Sequence, residues 1–394
     1  MFDFDKLTDR SNTLSYKWDV KEGELPMWVA DMDFEVAPPI KNAIVSRAEH
    51  GIFGYTATPD AYFEAISSYW ERRHGYKIPT EHMIYSNGVV AAISSIVRKL
   101  TTPAENVLIQ APVYNIFYNS ILNNGRNVIS SDLVYDGSEY SIDFADLEEK
   151  LSRPQTSLMI LCNPHNPVGR IWTREELARI GSLCHKHGVT VLSDEIHCDL
   201  TVPGKGYMPF AAVNEECRSI SVSAVASSKT FNIAGLQSAC VYAQDPVLRH
   251  KVWRGINTDE VGEPNAFAMT ANVAAFTECD VWVDEMLKYV FENKRIACEY
   301  INSNIEGMKA NFSEATYLLW IDISSVADDS VDFCEKLRES TGLYLSDGAE
   351  YGECGRSFVR MNLATQRSRV LDGLERLKRG AEQYAKNKKI RVCH

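Results

Sequence analysis

The chain has 394 residues, of which 45% are hydrophobic, enough for a sizeable core and for roughly 2 to 3 domains on length alone. Its 53 acidic and 41 basic residues leave a formal net charge of −12, which argues against nucleic acid or an anionic membrane as partner; any bound anion must be held by local donors. Ten cysteines lie scattered without a C-x-x-C pair in a chain too large to need disulfide staples, and they read as reduced, mostly buried thiols.

In chain order, the opening Met1-Phe2-Asp3-Phe4-Asp5-Lys6-Leu7 is interrupted by acids, so no secretory leader is expected. No uncharged apolar run reaches the ~18 residues of a membrane span, and a cytosolic location follows as the expectation. The segment up to Asp33 is aromatic but weakly periodic and reads as an arm packed on other elements. Met83-Ile84-Tyr85 reads as a strand, and Gly88-Val89-Val90 then opens a helix. Further strands are predicted at Asn106 to Gln110, Asn127 to Ser131, Ser157 to Cys162, Val189 to Ser193, Ser219 to Ala224 and Gln237 to Ala243. Between them, Thr173 to His187 reads as a helix with a capping box from Thr173 and Glu176, and Gly188 stops it. Cys184-His185-Lys186-His187 is therefore a helix end rather than a metal site, since adjacent helical residues face different directions, and no metal is expected.

After about residue 280 the pattern changes to a long helix reaching about Asn311, a strand at Tyr317 to Ile323, and a short helix near Asp332 to Ser340. A strand around Phe358 to Asn362 and a helix from Gln366 complete it, with a basic, frayed end from Lys386 to His394. The alternation in the middle predicts an α/β fold, a mostly parallel sheet with helices on both faces, followed by a smaller α+β unit. The expected division is an arm over 1–45 that joins the small domain, a large domain over 46–280 and a small domain over 281–394.

Three polar constellations follow apolar runs: Asn163-Pro164-His165-Asn166-Pro167-Val168-Gly169-Arg170, Ser193-Asp194-Glu195-Ile196-His197, and Ser227-Ser228-Lys229-Thr230-Phe231-Asn232. In an open parallel sheet the carboxyl ends of strands converge on one crevice, so residues distant in sequence meet there. Prolines after Asn163 and Asn166 disfavour helix and hold the first constellation as a loop.

Together with Pro26-Met27-Trp28-Val29-Ala30-Asp31-Met32-Asp33-Phe34, Gly54-Tyr55-Thr56, Pro112-Val113-Tyr114 and the stretch Lys229 to Gln237, these motifs resemble the fold type I pyridoxal 5'-phosphate (PLP) enzymes of the aspartate aminotransferase superfamily. The likeness covers nearly the whole chain, and the Trp28 to Phe34 run is similar to the cystathionine β-lyase (MalY/PatB) branch. The resemblance implies that Lys229 holds the cofactor as an imine and then serves as base at the substrate Cα. It assigns Asp194 to the pyridine nitrogen, Asn166 to the cofactor's 3'-oxygen, and Tyr114 to ring stacking and proton relay. His197 stands where aminotransferases carry a tyrosine to that same oxygen, and a packed core histidine is the equal alternative. The phosphate falls to the backbone of Gly88, Val89 and Val90, to Ser227 and Ser228, and to Tyr55 of a neighbouring subunit, which makes the active unit a homodimer. Arg360 takes the substrate carboxylate, with Trp28, Ala30 and Asn166 lining the substrate site.

Aminotransferases usually add an arginine soon after the lysine, where this chain has Gln237. The implied activity is therefore a carbon–sulfur β-lyase acting on cystathionine, cysteine or S-substituted cysteines and releasing thiol, pyruvate and ammonia. An aminotransferase on the same scaffold, and a regulatory protein that binds a partner while retaining PLP, are the alternatives.

Overall fold

The computed structural model describes residues 2–392, without the side chains of 389–392. Its centre is a seven-stranded sheet built from β1 (Met83–Ser86), β2 (Asn106–Ile109), β3 (Asn127–Ser130), β4 (Thr156–Cys162), β5 (Thr190–Asp194), β6 (Ser221–Val225) and β7 (Ala239–Tyr242). The order across the sheet is β1-β7-β6-β5-β4-β2-β3, and every pairing is parallel except those of β7. Strands covered on both faces read as continuous apolar runs, as the nearly wholly buried Thr156–Cys162 does. Helices flank both sides of the sheet. Among them, α1 (Pro38–Glu49), α2 (Asp60–His74), α3 (Val89–Leu100), α4 (Arg174–His187) and α5 (Ala268–Glu278) matter below. Helix α4 has the capping box expected of Thr173 and Glu176, and Gly188 terminates it at φ 68°.

A second, four-stranded antiparallel sheet contains Lys309–Ala310, Leu318–Asp322, Phe358–Asn362 and Ser346–Asp347 in that spatial order. It is covered by α6 (Asp280–Asn304), α7 (Ser330–Thr341) and α8 (Arg367–Val392), around a core that includes Leu319, Ile321, Phe333, Val359 and Leu374. The opening arm packs on the same core through Leu25 and Met27. Leu25–Pro26 pairs in parallel with Leu343–Tyr344, and Asn362 donates its amide to the carbonyls of Val29 and Asp31, both at 2.6 Å.

Several elements depart from expectation. The long helix ends at Asn304 rather than near Asn311, because the chain turns through Gly307 at φ 81°, a conformation that suits glycine. Helix α1 runs through residue 45 and packs on α5. The backbone remains helical beyond Lys386 to Val392; residues 393–394, including Cys393, lie outside the described part. Of the nine described cysteines all are free thiols and Cys354 alone is exposed. No helix among the described residues is long and apolar enough to cross a membrane.

Candidate active site

The register of the large sheet sets Cys162 beside Asp194 and Asp194 beside Ala224, so β4, β5 and β6 end in one row. The segments leaving these strand ends meet in a cavity of about 540 Å³ lined by Asn166, Asp194, His197, Ser228 and Lys229. The Asn163 to Arg170 loop is held tightly. His165 is buried and neutral, pushed down to about 4 by burial, and its Nε2 lies 2.8 Å from the Pro112 carbonyl, which ties this loop to the one carrying Tyr114. Gly169, at φ 73°, lies so close to Ser313 that a Cβ would overlap it, and its carbonyl accepts from Ala315 N at 3.0 Å.

Lys229 lines the cavity and donates to the Ala30 carbonyl at 2.7 Å. Burial lowers its pKa to about 8, against the opposing pull of Asp31; Arg360 adds to the lowering. Asp194 is 3% exposed and accepts a hydrogen bond from Ile196 N at 3.2 Å. Burial pushes its carboxyl up to about 7, and no described cation forms an ion pair with it. His197 is pushed down to about 3 by burial, then by Lys229 and Arg360, and its Nδ1 has no hydrogen-bond partner among the described residues. Tyr114 lines the same cavity with its hydroxyl pushed up to about 12 by burial and by Asp194.

The small sheet supplies the opposite wall. Arg360, 5% exposed, lies between Trp320 and Ser346 in the strand register, with its guanidinium 4.9 Å from the centre of the Tyr351 ring. It donates to the Trp28 carbonyl at 2.7 Å and more weakly to Asn166 Oδ1 at 3.4 Å, while its Nε has no partner among the described residues. Trp28 and Ala30 thus enter the site through backbone oxygens. The Trp28 ring instead stacks on Tyr344 at 4.7 Å and forms part of the cavity wall.

Helix α3 begins in the cavity without a side-chain cap, and Gly88 precedes it at φ 126° and ψ 158°, a region essentially confined to glycine. The first backbone N–H groups of α3 have no intrahelical acceptor and sit at the positive end of the helix, which suits a phosphate. Gly88, Val89, Val90, Ser228, Gln237 and Ser238 line this end. Ser227 is not among the lining residues: its buried hydroxyl donates to Asn272 on α5. Tyr55 is fully exposed on a segment without regular structure and does not line this cavity.

These features fit PLP. A buried carboxylate awaits a cation, an uncapped helix end awaits an anion, and a buried arginine nitrogen and a histidine nitrogen lack partners.

Supporting residues that sequence reasoning passed over surround this core. Tyr317 donates to the same Ala30 carbonyl at 3.1 Å. Asn232, at φ 57°, exchanges hydrogen bonds with the backbone of Met32 and Phe34 and so clamps the arm to the lysine loop. Thr230 donates to Asp199 at 2.8 Å, and Asp199 lies 3.0 Å from His74. Glu195 accepts from Ser193, Tyr207 and Phe210 N behind the sheet. The adjacency of Asn232 to the lysine motif was the available signal; the others carry none on their own.

The chain matches the family model for aminotransferase class I and II over residues 27–377. It is 41% identical to the cystathionine β-lyase PatB of Bacillus subtilis, covering 95% of this chain and 98% of that one. It is 31% identical to the protein MalY of Escherichia coli, with coverage of 95% and 97%. Among solved structures, cystalysin from Treponema denticola, described as containing a pyridoxal 5'-phosphate cofactor, superposes with a TM-score of 0.94 at 31% identity, covering 97% of this chain and 99% of that one.

Proposed function

Because the chain belongs to the class I and II aminotransferase family, in the branch of PatB and MalY, we propose that it is a PLP-dependent carbon–sulfur β-lyase. Its substrates in this reading are cystathionine, cysteine or other S-substituted cysteines, and its products are thiol, pyruvate and ammonia. The observation that carries the reading is the meeting, in one cavity, of an amine whose pKa burial lowers to about 8, a buried carboxylate with no ion pair among the described residues, and an arginine whose Nε has no partner among them.

When bound, PLP supplies an aldehyde that takes up amines and a ring that accepts the electron pair left at Cα. The residues of the chain do the rest. Asp194, fixed by Ile196 N, would hold the pyridine nitrogen and be kept charged by it. The helix end at Gly88 to Val90 would receive the phosphate, and Ser228 lines the same cavity. Arg360 clamps the substrate carboxylate, oriented by the Trp28 carbonyl. Lys229, directed by the Ala30 carbonyl, takes the Cα proton; a positioned base contributes typically ~10²- to 10⁴-fold. The Cβ–S bond breaks with its electron pair on sulfur. Tyr114, whose high pKa keeps it protonated, donates to the departing thiolate, and the proton held by Lys229 replaces the one given up. The released enamine adds water to give pyruvate and ammonia.

Tyr55 is read as completing the phosphate site of a second copy, which makes the working unit a homodimer; its full exposure here, beside the partly exposed Ile52 and Phe53, supports this. The test is incubation of purified holoenzyme with cystathionine and no 2-oxo acid. Sustained pyruvate release is expected. A single half-turnover that leaves the cofactor as its amine would instead establish an aminotransferase.

A further inference from the structure

Five ionisable side chains other than tyrosines and a thiol line the cavity: Asp194, His197, Lys229, Glu350 and Arg360. Four are absorbed by the chemistry above or stand against it; Glu350 has no task there. It sits on the turn Gly348–Tyr351, between the strand residue Ser346 that faces Arg360 and the Tyr351 ring beneath that guanidinium. Asn115, next to Tyr114, donates to one of its oxygens at 3.2 Å, so the carboxylate spans the rim from the large-domain wall to the small sheet. Among the described residues it forms no ion pair. Burial and then Asp347 raise its pKa, and Arg360 opposes them.

A substrate bound with its carboxylate on Arg360 and its Cα at Lys229 directs whatever lies beyond sulfur away from both, toward the rim. There a carboxylate attracts an ammonium and repels an unaccompanied carboxylate. We propose that Glu350 is a specificity-determining residue that selects β-substituents ending in an ammonium group, so that cystathionine is preferred to cysteines with an uncharged or purely acidic tail. This inference rests on the reading of the cavity as an elimination site.

The experiment compares kcat/KM for cystathionine and for S-(3-carboxypropyl)cysteine, which has the same length and distal carboxylate but no distal amine, following pyruvate from the holoenzyme. The wild type is expected to favour cystathionine. Glu350→Gln should reduce the ratio of the two values roughly ten- to hundredfold, the range for a hydrogen bond to a charged group. Glu350→Lys should reverse the preference; Asn115 is the side chain's one hydrogen-bond partner among the described residues, so both variants retain the fold. A ratio that stays within about twofold of wild type in Glu350→Gln, or an unreversed preference in Glu350→Lys, overturns the assignment while elimination itself stands. Pyruvate from neither substrate in the wild type refutes the elimination reading, and the role of Glu350 falls with it.

Discussion

Replacing Asp33 with Asn is expected to damage the enzyme from a position outside the cavity lining. Asp33 is 2% exposed and accepts from Lys17 Nζ at 2.9 Å, Arg10 at 2.8 Å and the Trp18 indole at 2.9 Å. Burial works against its charge, yet Lys17, Trp18 and Arg10 together hold its pKa at about 2, against an ordinary 3.8. At 1.36 kcal/mol per pH unit that difference corresponds to about 2 kcal/mol of stability. The sign is that of a depressed acid: the contribution is complete above the unfolded value and is lost as pH falls through 3.8 toward about 2, because the unfolded chain takes up the proton first. Substitution goes further than protonation, since it strands Lys17, 1% exposed, without its main partner, and breaking a buried pair costs ~3–5 kcal/mol. The assay is chemical unfolding of wild type, Asp33→Asn and the double variant Lys17→Met/Asp33→Asn at pH 7, with pyruvate release in parallel. The single variant should lose about 3 kcal/mol or more and much of its turnover, because the arm carries the Trp28 and Ala30 carbonyls. The double variant should recover part of the stability, with Arg10 still paired to Asp31 at 2.8 Å. A single variant within about 1 kcal/mol of wild type, or a double variant less stable than the single, would refute the reasoning.

Two further outcomes are expected. With the cofactor removed, reductive methylation of Lys229 by formaldehyde should rise with pH through about 8, below the range of exposed lysines; peptide mapping that finds its reactivity half-maximal near 10.5 contradicts the lowered pKa. Hybrid dimers of Tyr55→Ala and Lys229→Ala should regain activity that neither parent has, since one of their two cavities then combines an intact Lys229 with an intact Tyr55 from the neighbour. Hybrids as inactive as the parents would place Tyr55 outside the neighbouring site.

The parallel sheet was legible because its strands are apolar on both faces and end in short polar motifs, and register alone then gathers Asn166, Asp194 and Lys229. Backbone acceptors were not legible. The carbonyls of Trp28 and Ala30 orient Arg360 and Lys229, and a carbonyl has no residue signature. Ser227 and Ser228 look alike in sequence, yet one points into the core at Asn272 and the other lines the cavity. Helix α5, Ala-rich and buried along most of its length, lacks the polar stripe that marks an amphipathic helix. The acids of the Trp28 to Phe34 run gave no hint that Asp33 is buried against Lys17, because pairing across sixteen residues of irregular chain leaves no period to read.

The pairing of Leu25–Pro26 with Leu343–Tyr344 fixes an order of events during synthesis. At ~5–20 residues per second, on the order of 15–60 s separate the emergence of these partners. All strands of the large sheet leave the ribosome in that interval, and so does Lys229. Arg10, Lys17, Asp31 and Asp33 lie close enough in sequence to find one another while the arm waits. Arg360 and Asn362 arrive last, and with them the groups that seat the arm over the lysine. A nascent or truncated chain therefore carries the reactive amine without the wall that directs it, and competence comes only with the final stretch of translation.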